Sequence, residues 1–125
     1  MNTNKHGIRK RIKSFGYAFA GLLYLVKAEP NARIHLVATI VAIALSIFFK
    51  ISAFEWMIIL IVIGLVWAME AINTAIEKLS DHLFPETHET ARIAKDVAAG
   101  AVLVCALVAL ACGAIIFLPK IVVVF

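Results

Sequence analysis

The sequence predicts an all-α membrane protein: three transmembrane helices preceded by an N-terminal amphipathic surface helix, in one domain spanning residues 1–125. Three observations predict this. The 125 residues are 63% hydrophobic and only 16% charged, whereas soluble domains run about half apolar and about a quarter charged. A water-soluble chain this short cannot bury so much apolar surface. The apolar residues also gather into three runs free of charge, Ile34–Phe49, Trp56–Met69 and Val97–Leu118. Finally, residues 8–28 interleave basic and apolar side chains at helical spacing.

Taken in order, residues 1–7 are polar and carry no periodic signal. Ile8, Ile12, Phe15, Phe19, Leu22, Leu23 and Val26 then recur every three or four residues, with Arg9, Lys10, Lys13 and Lys27 at other positions. A basic amphipathic helix of this kind lies in the membrane interface and favours anionic lipid. Glu29-Pro30 ends it, since the residue before proline avoids the helical region while proline suits a first turn. The first span covers about 32–50, with Lys50 reaching back to the interface. A short turn at Lys50–Glu55 leads into the second span, about 55–79, whose helix stops before Pro85. A polar loop follows, and the third span, about 97–118, is expected to close at Pro119. Ala98, Ala99, Gly100 and Ala101 predict close packing against the helix that carries Glu70. Cys105 and Cys112 lie two turns apart, too far to bond to each other, and read as packing residues. No cleavable leader is evident.

Charge sets an orientation. Seven of the twelve Lys and Arg residues precede the first apolar run, and Lys78, Arg92 and Lys95 fall between the second and third. The positive-inside rule therefore puts the N-terminus and the Lys78–Asp96 loop in the cytoplasm, and the Lys50–Glu55 turn and C-terminus outside.

Glu70 is the residue that resists an ordinary account. The apolar run before it is only about 21 Å long as a helix, short of the roughly 30 Å of a bilayer core. Glu70 therefore sits at or inside the hydrocarbon boundary, where a carboxylate costs about 2.5–3.5 kcal/mol and marks function by default. At about 100° per residue, Glu70, Asn73, Glu77 and Asp81 share an arc of about 80°. Glu29, Glu70, Asn73, Glu77, Lys95 and Asp96, with Glu86 and His88 in the loop, all fall on the cytoplasmic side. Mg²⁺ takes one or two carboxylates plus substrate phosphates. A carboxylate in a partly apolar setting suits a general base, and lysine offers a point charge to phosphate. These are the parts of phosphoryl transfer, although neither a P-loop nor a protein-kinase signature is present. A small ion- or proton-coupled membrane subunit using Glu70, and a purely structural helix stack, remain open on the residues alone. Singly, Asn73 fits an interhelical bond, Lys95-Asp96 a helix start, and Glu86 and His88 ordinary surface.

The segments Glu70–Glu77 (EAINTAIE) and Ala94–Leu103 (AKDVAAGAVL), with Ser14–Leu22 (SFGYAFAGL) and Glu29–Arg33 (EPNAR), resemble the bacterial integral-membrane diacylglycerol kinases, a family that includes undecaprenol kinases. The likeness covers nearly the whole chain, and the EPNAR and AKDVAAGAVL forms lean toward the undecaprenol branch. It implies a homotrimer in a bacterial cytoplasmic membrane, with active sites shared between protomers. It implies an ATP- and Mg²⁺-dependent kinase that phosphorylates a primary hydroxyl of diacylglycerol or undecaprenol. On this likeness Glu70 is the base and Asn73 holds the site. Glu29 and Glu77 are metal ligands that also meet ATP, together with Lys10, Tyr17, Glu86, His88, Lys95 and Asp96. Lys10 stands where some members have arginine, a weaker match for a phosphate contact. Ser14, Phe15, Asn31, Arg33, Trp56 and Ala99 would lie near the lipid, as would Glu70.

Overall fold

The computed structural model describes residues 3–125 as four helices, α1 (Thr3–Ala28), α2 (Pro30–Phe48), α3 (Ala53–Leu83) and α4 (Glu89–Val124). Helices α2, α3 and α4 are each long and apolar enough to cross a membrane. At 1.5 Å per residue α2 is about 28 Å long, α3 about 46 Å and α4 about 54 Å, so α3 and α4 extend past the roughly 30 Å of a hydrocarbon core. Most of their large apolar side chains face outward, among them Leu110 at 70% exposure and Val104 at 62%.

Helix α1 starts earlier than the apolar periodicity beginning at Ile8 implies, at Thr3. It ends where expected. Glu29 takes an extended backbone (φ −107°, ψ 117°) ahead of Pro30, the first residue of α2. The Arg33 guanidinium then reaches back across this corner. Its Nε donates to the Val26 carbonyl at 3.1 Å, and its Nη2 donates to that of Lys27. Both carbonyls lie in the last turn of α1, where no intrahelical donor remains. One side chain thus fixes the angle between α1 and α2.

At the other end of α2 the chain turns through Lys50, whose φ is 48°. The Ile51 N–H donates to the Ser46 carbonyl at 3.2 Å and the Lys50 N–H to that of Ile47 at 3.3 Å. This is a Schellman closure with lysine in the place glycine usually takes. It delivers Ile51 into an apolar cluster with Ile59, Ile116 and Phe117, flanked by Leu45, Phe49 and Trp56. Helix α3 opens on a capping box: the Glu55 N–H donates to Ser52 Oγ at 3.2 Å, and the Ser52 N–H donates to Glu55 Oε1 at 3.1 Å. The free oxygen of Glu55 accepts from Lys120 Nζ at 2.6 Å.

Helices α3 and α4 form an antiparallel hairpin pinned at both ends, by Glu55–Lys120 and by Asp81–Lys95 at 2.7 Å. The two pairs lie at nearly equal separations along the two helices, in keeping with a single antiparallel register. Two expectations are corrected here. Pro119 does not close the last helix, which runs on to Val124. Proline removes only the donor to the Ile115 carbonyl, while Lys120 Nζ donates to the neighbouring Ile116 carbonyl at 3.1 Å. In an apolar medium a helix is also the backbone's one way to satisfy itself. The second correction concerns the small residues of α4. Ala98 is buried, but a Cβ built on Gly100 would meet nothing within 4 Å, and Ala99 is exposed. Helix α4 does pack along α3, with Ala98 buried and Gly100 and Ala101 half-buried, while Ala99 stands outside the contact. Cys105 and Cys112 are free thiols, both half-buried.

Candidate active site

The site is built on α3 by distance alone. Counting from Ala53, Glu70 lies about 26 Å along the helix, Glu77 about 36 Å and Asp81 about 42 Å. One face of one helix therefore passes from a buried Glu70 through a half-buried Glu77 to an exposed Asp81. Glu70 is 2% exposed, and its neighbours Asn73 and Thr74 are buried with it. Asn73 Nδ2 donates to Glu77 Oε1 at 3.4 Å, which ties the buried carboxylate turn to the half-buried one. Three buried polar atoms in this turn, Glu70 Oε2, Asn73 Oδ1 and Thr74 Oγ1, have no hydrogen-bond partner among the described residues. Such groups are rare and call for an explanation at a site.

His35 on α2 comes nearest to answering the first of them. Its Nε2 stands 3.5 Å from Glu70 Oε2. One turn further along α2, Thr39 donates to the His35 carbonyl at 2.7 Å and accepts from Trp67 Nε1 at 2.9 Å. The Trp67 ring meets the imidazole edge-on, with centroids 6.5 Å apart. Positions 35 and 39 of α2 thus face 67 and 70 of α3 along one polar seam. The sequence argument gave His35 no role, since it falls inside the first apolar run. Its one visible signal was a titratable side chain inside an apolar run.

The other predicted residues divide into those the fold gathers and those it does not. Glu86, His88, Lys95 and Asp96 line an open hollow of about 400 Å³ at the α3–α4 turn, with Asp81 and Arg92. His88 caps α4, its Nδ1 accepting from the Ala91 N–H at 3.3 Å while its ring packs 4.3 Å from that of Phe84. Lys95 binds Asp81, and this hydrogen bond raises the pKa of its ammonium, with Glu77 and Asp96 adding to the effect. Arg92, which the sequence argument passed over, pairs with Asp96 at 3.1 Å and with Glu89 at 3.8 Å. Glu29 is half-buried at the start of α2, near enough to α3 for its charge to act on Lys78. Lys78 itself stands 5.7 Å over the Tyr24 ring.

Lys10, Ser14, Phe15 and Tyr17 are exposed on α1, and among the described residues no hydrogen bond or ion pair joins them to α3 or α4. Ser14 Oγ donates to the Lys10 carbonyl at 3.0 Å. Asn31 and Ala99 are exposed, and Arg33 closes α1 as described. Trp56 packs in the cluster at the far end of α3, about 21 Å from Glu70 along the axis. Between α2, α3 and α4 runs an apolar groove of about 560 Å³ that begins beside His35 and Thr39 and ends at Phe117 and Leu118.

A membrane-crossing chain with a buried carboxylate above a polar, cation-bearing hollow meets its relatives at this point. The profile of the prokaryotic diacylglycerol kinase family matches residues 16–117. This chain belongs to that family. The undecaprenol kinase of Bacillus subtilis is 36% identical over 117 residues, covering 94% of this chain and 95% of that one. The diacylglycerol kinase of Escherichia coli K12 is 31% identical over 109 residues, 87% of this chain and 89% of that one. The diacylglycerol kinase of Synechocystis is 36% identical over 107 residues, 85% of this chain and 61% of its own length. The family is one of lipid kinases, and the protein is an enzyme of that kind.

Among the described residues no three His, Cys, Asp or Glu side chains form a ready metal cage. Mg²⁺ in phosphoryl transfer draws one or two carboxylates from protein and the remaining oxygens from phosphate and water. Glu77 accepts from Asn73, and the charge of Glu29 reaches Lys78, the next position of α3.

Proposed function

We propose that this protein transfers the γ-phosphate of ATP to the primary hydroxyl of a membrane lipid, diacylglycerol or undecaprenol, at the cytoplasmic interface. The observation that carries the reading is the Glu70 carboxylate, buried at 2% exposure with Oε2 unpartnered among the described residues. Glu70 accepts the proton of the lipid hydroxyl as its oxygen attacks the γ-phosphorus; the β–γ bridging bond breaks and ADP leaves. Asn73 orients Glu77 and lends the turn a second polar group. Mg²⁺, when bound to Glu29 and Glu77, supplies charge neutralisation on the phosphates. Lys95, Asp96, Glu86 and His88 hold the nucleotide, with Lys10 and Tyr17 approaching from α1. Ser14, Phe15, Asn31, Arg33, Trp56 and Ala99 border the lipid.

The surface disposition of α1, the cytoplasmic N-terminus and a trimer with sites shared between protomers belong to the same reading. The exposure of Lys10 and Tyr17 in a single protomer agrees with a site completed by a neighbour. The deciding experiment offers detergent-purified protein ATP and Mg²⁺ with diacylglycerol in one assay and undecaprenol in another. Phosphorylation of one or both is expected. Phosphorylation of neither, together with proton-gradient-dependent flux in liposomes without ATP, would replace the kinase reading with an ion-coupled one.

A further inference from the structure

The geometry points to His35 as a positioning residue for Glu70, an inference that rests on the reading of Glu70 as the base. Among the described residues Glu70 Oε2 is buried without a hydrogen-bond partner, and His35 Nε2 is the polar atom set against it, 3.5 Å away. That separation exceeds a usual N–H···O bond of about 2.9–3.0 Å by a few tenths of an ångström. Such bonds are often long before substrate binds and tighten in the reacting complex. Donating from Nε2, the imidazole fixes one carboxylate oxygen and turns the other toward the lipid hydroxyl.

The seam behind His35 keeps the ring in place. Its flank is covered edge-on by Trp67, and Trp67 is locked to α2 by its bond to Thr39 Oγ1. The pair also bridges two helices, so the orientation of the base depends on how α2 sits against α3. A histidine serving packing alone would not need its nitrogen aimed at the one buried carboxylate. Being 16% exposed, the ring is closed off from solvent without being sealed.

The test compares His35→Leu and His35→Gln with Glu70→Gln in the lipid phosphorylation assay, recording kcat, KM for ATP and thermal stability for each. Leucine keeps the bulk and removes the donor; glutamine returns an N–H at similar reach. His35→Leu is expected to lower kcat on the order of 10-fold to 100-fold with KM for ATP unchanged, and His35→Gln to recover most of the loss. In a Glu70→Gln background, His35→Leu should have no further effect. If Glu70→Gln is inactive while His35→Leu keeps wild-type kcat, positioning by His35 is wrong and the base assignment stands. Equal losses in His35→Leu and His35→Gln that track lowered stability would likewise overturn it, making the residue structural. If Glu70→Gln stays active, the reading of Glu70 falls instead.

Discussion

Lys95 shows how little an ion pair's presence says about what it is for. Its bond to Asp81 is short, 2.7 Å, yet Lys95 is 37% exposed and Asp81 63%. Exposed pairs contribute about 0–1 kcal/mol, so the interaction is weak as a staple. It is better placed to keep an ammonium in the hollow beside Asp96 and Glu86, where a nucleotide phosphate would displace Asp81 as partner. Lys95→Ala should therefore leave the unfolding midpoint essentially unchanged while raising KM for ATP about 10-fold or more. Because Asp81 raises the ammonium's pKa, Lys95 stays charged at every pH well below the ordinary lysine value, about 10.4. The bridge is lost only as pH climbs through the raised value, so the Lys95 contribution should be flat across neutral pH. Chemical unfolding and initial rates at varied ATP check both halves of the prediction.

At the scale of elements, the α2–α3 turn concentrates what the apolar pattern could not specify. Ser52 and Glu55 exchange reciprocal hydrogen bonds, and Glu55 also holds Lys120, so one glutamate fastens both the start of α3 and the end of α4. Ser52→Ala should cost about 1 kcal/mol, read as a lower unfolding midpoint in detergent, with kcat unchanged because the turn lies at the opposite end of α3 from Glu70. Helix existence was legible throughout. Three charge-free runs can satisfy their backbones in lipid only as helices, and Pro85 stops α3 as its missing N–H requires. The Glu70–Asp81 stripe was legible too, because helical phase is a property of spacing. Pairings between helices were not. His35 with Glu70, Lys120 with Glu55 and Arg33 on the end of α1 depend on which faces meet, and periodicity along one helix is silent on that. Pro119 misled for a related reason: a missing donor ends a helix in water, where the chain has alternatives, but not in an apolar segment. Lys50 is an αL residue that no local rule marks, since glycine or asparagine usually holds that place.

The whole molecule is a device for holding one carboxylate at a fixed depth. Helix α3 carries Glu70 buried in its middle, with Glu77 half-buried and Asp81 exposed toward its end. Helix α4, pinned at both ends, sets Lys95 and Asp96 beside the aqueous part of that stripe, and α2 brings His35 against the buried part. Membership in the prokaryotic diacylglycerol kinase family accounts for the reaction class; the geometry accounts for why an acid is kept inside an otherwise apolar run at an expense of about 2.5–3.5 kcal/mol. If that acid is the base, its charge is needed for chemistry and not for assembly. The most direct measurement is lipid phosphorylation by Glu70→Gln, run beside size-exclusion chromatography and thermal unfolding of the same preparation. The account predicts a variant that is folded, assembled as the wild type is, at least as stable, and reduced at least about 100-fold in kcat. A folded Glu70→Gln that phosphorylates lipid at near wild-type rates would contradict it.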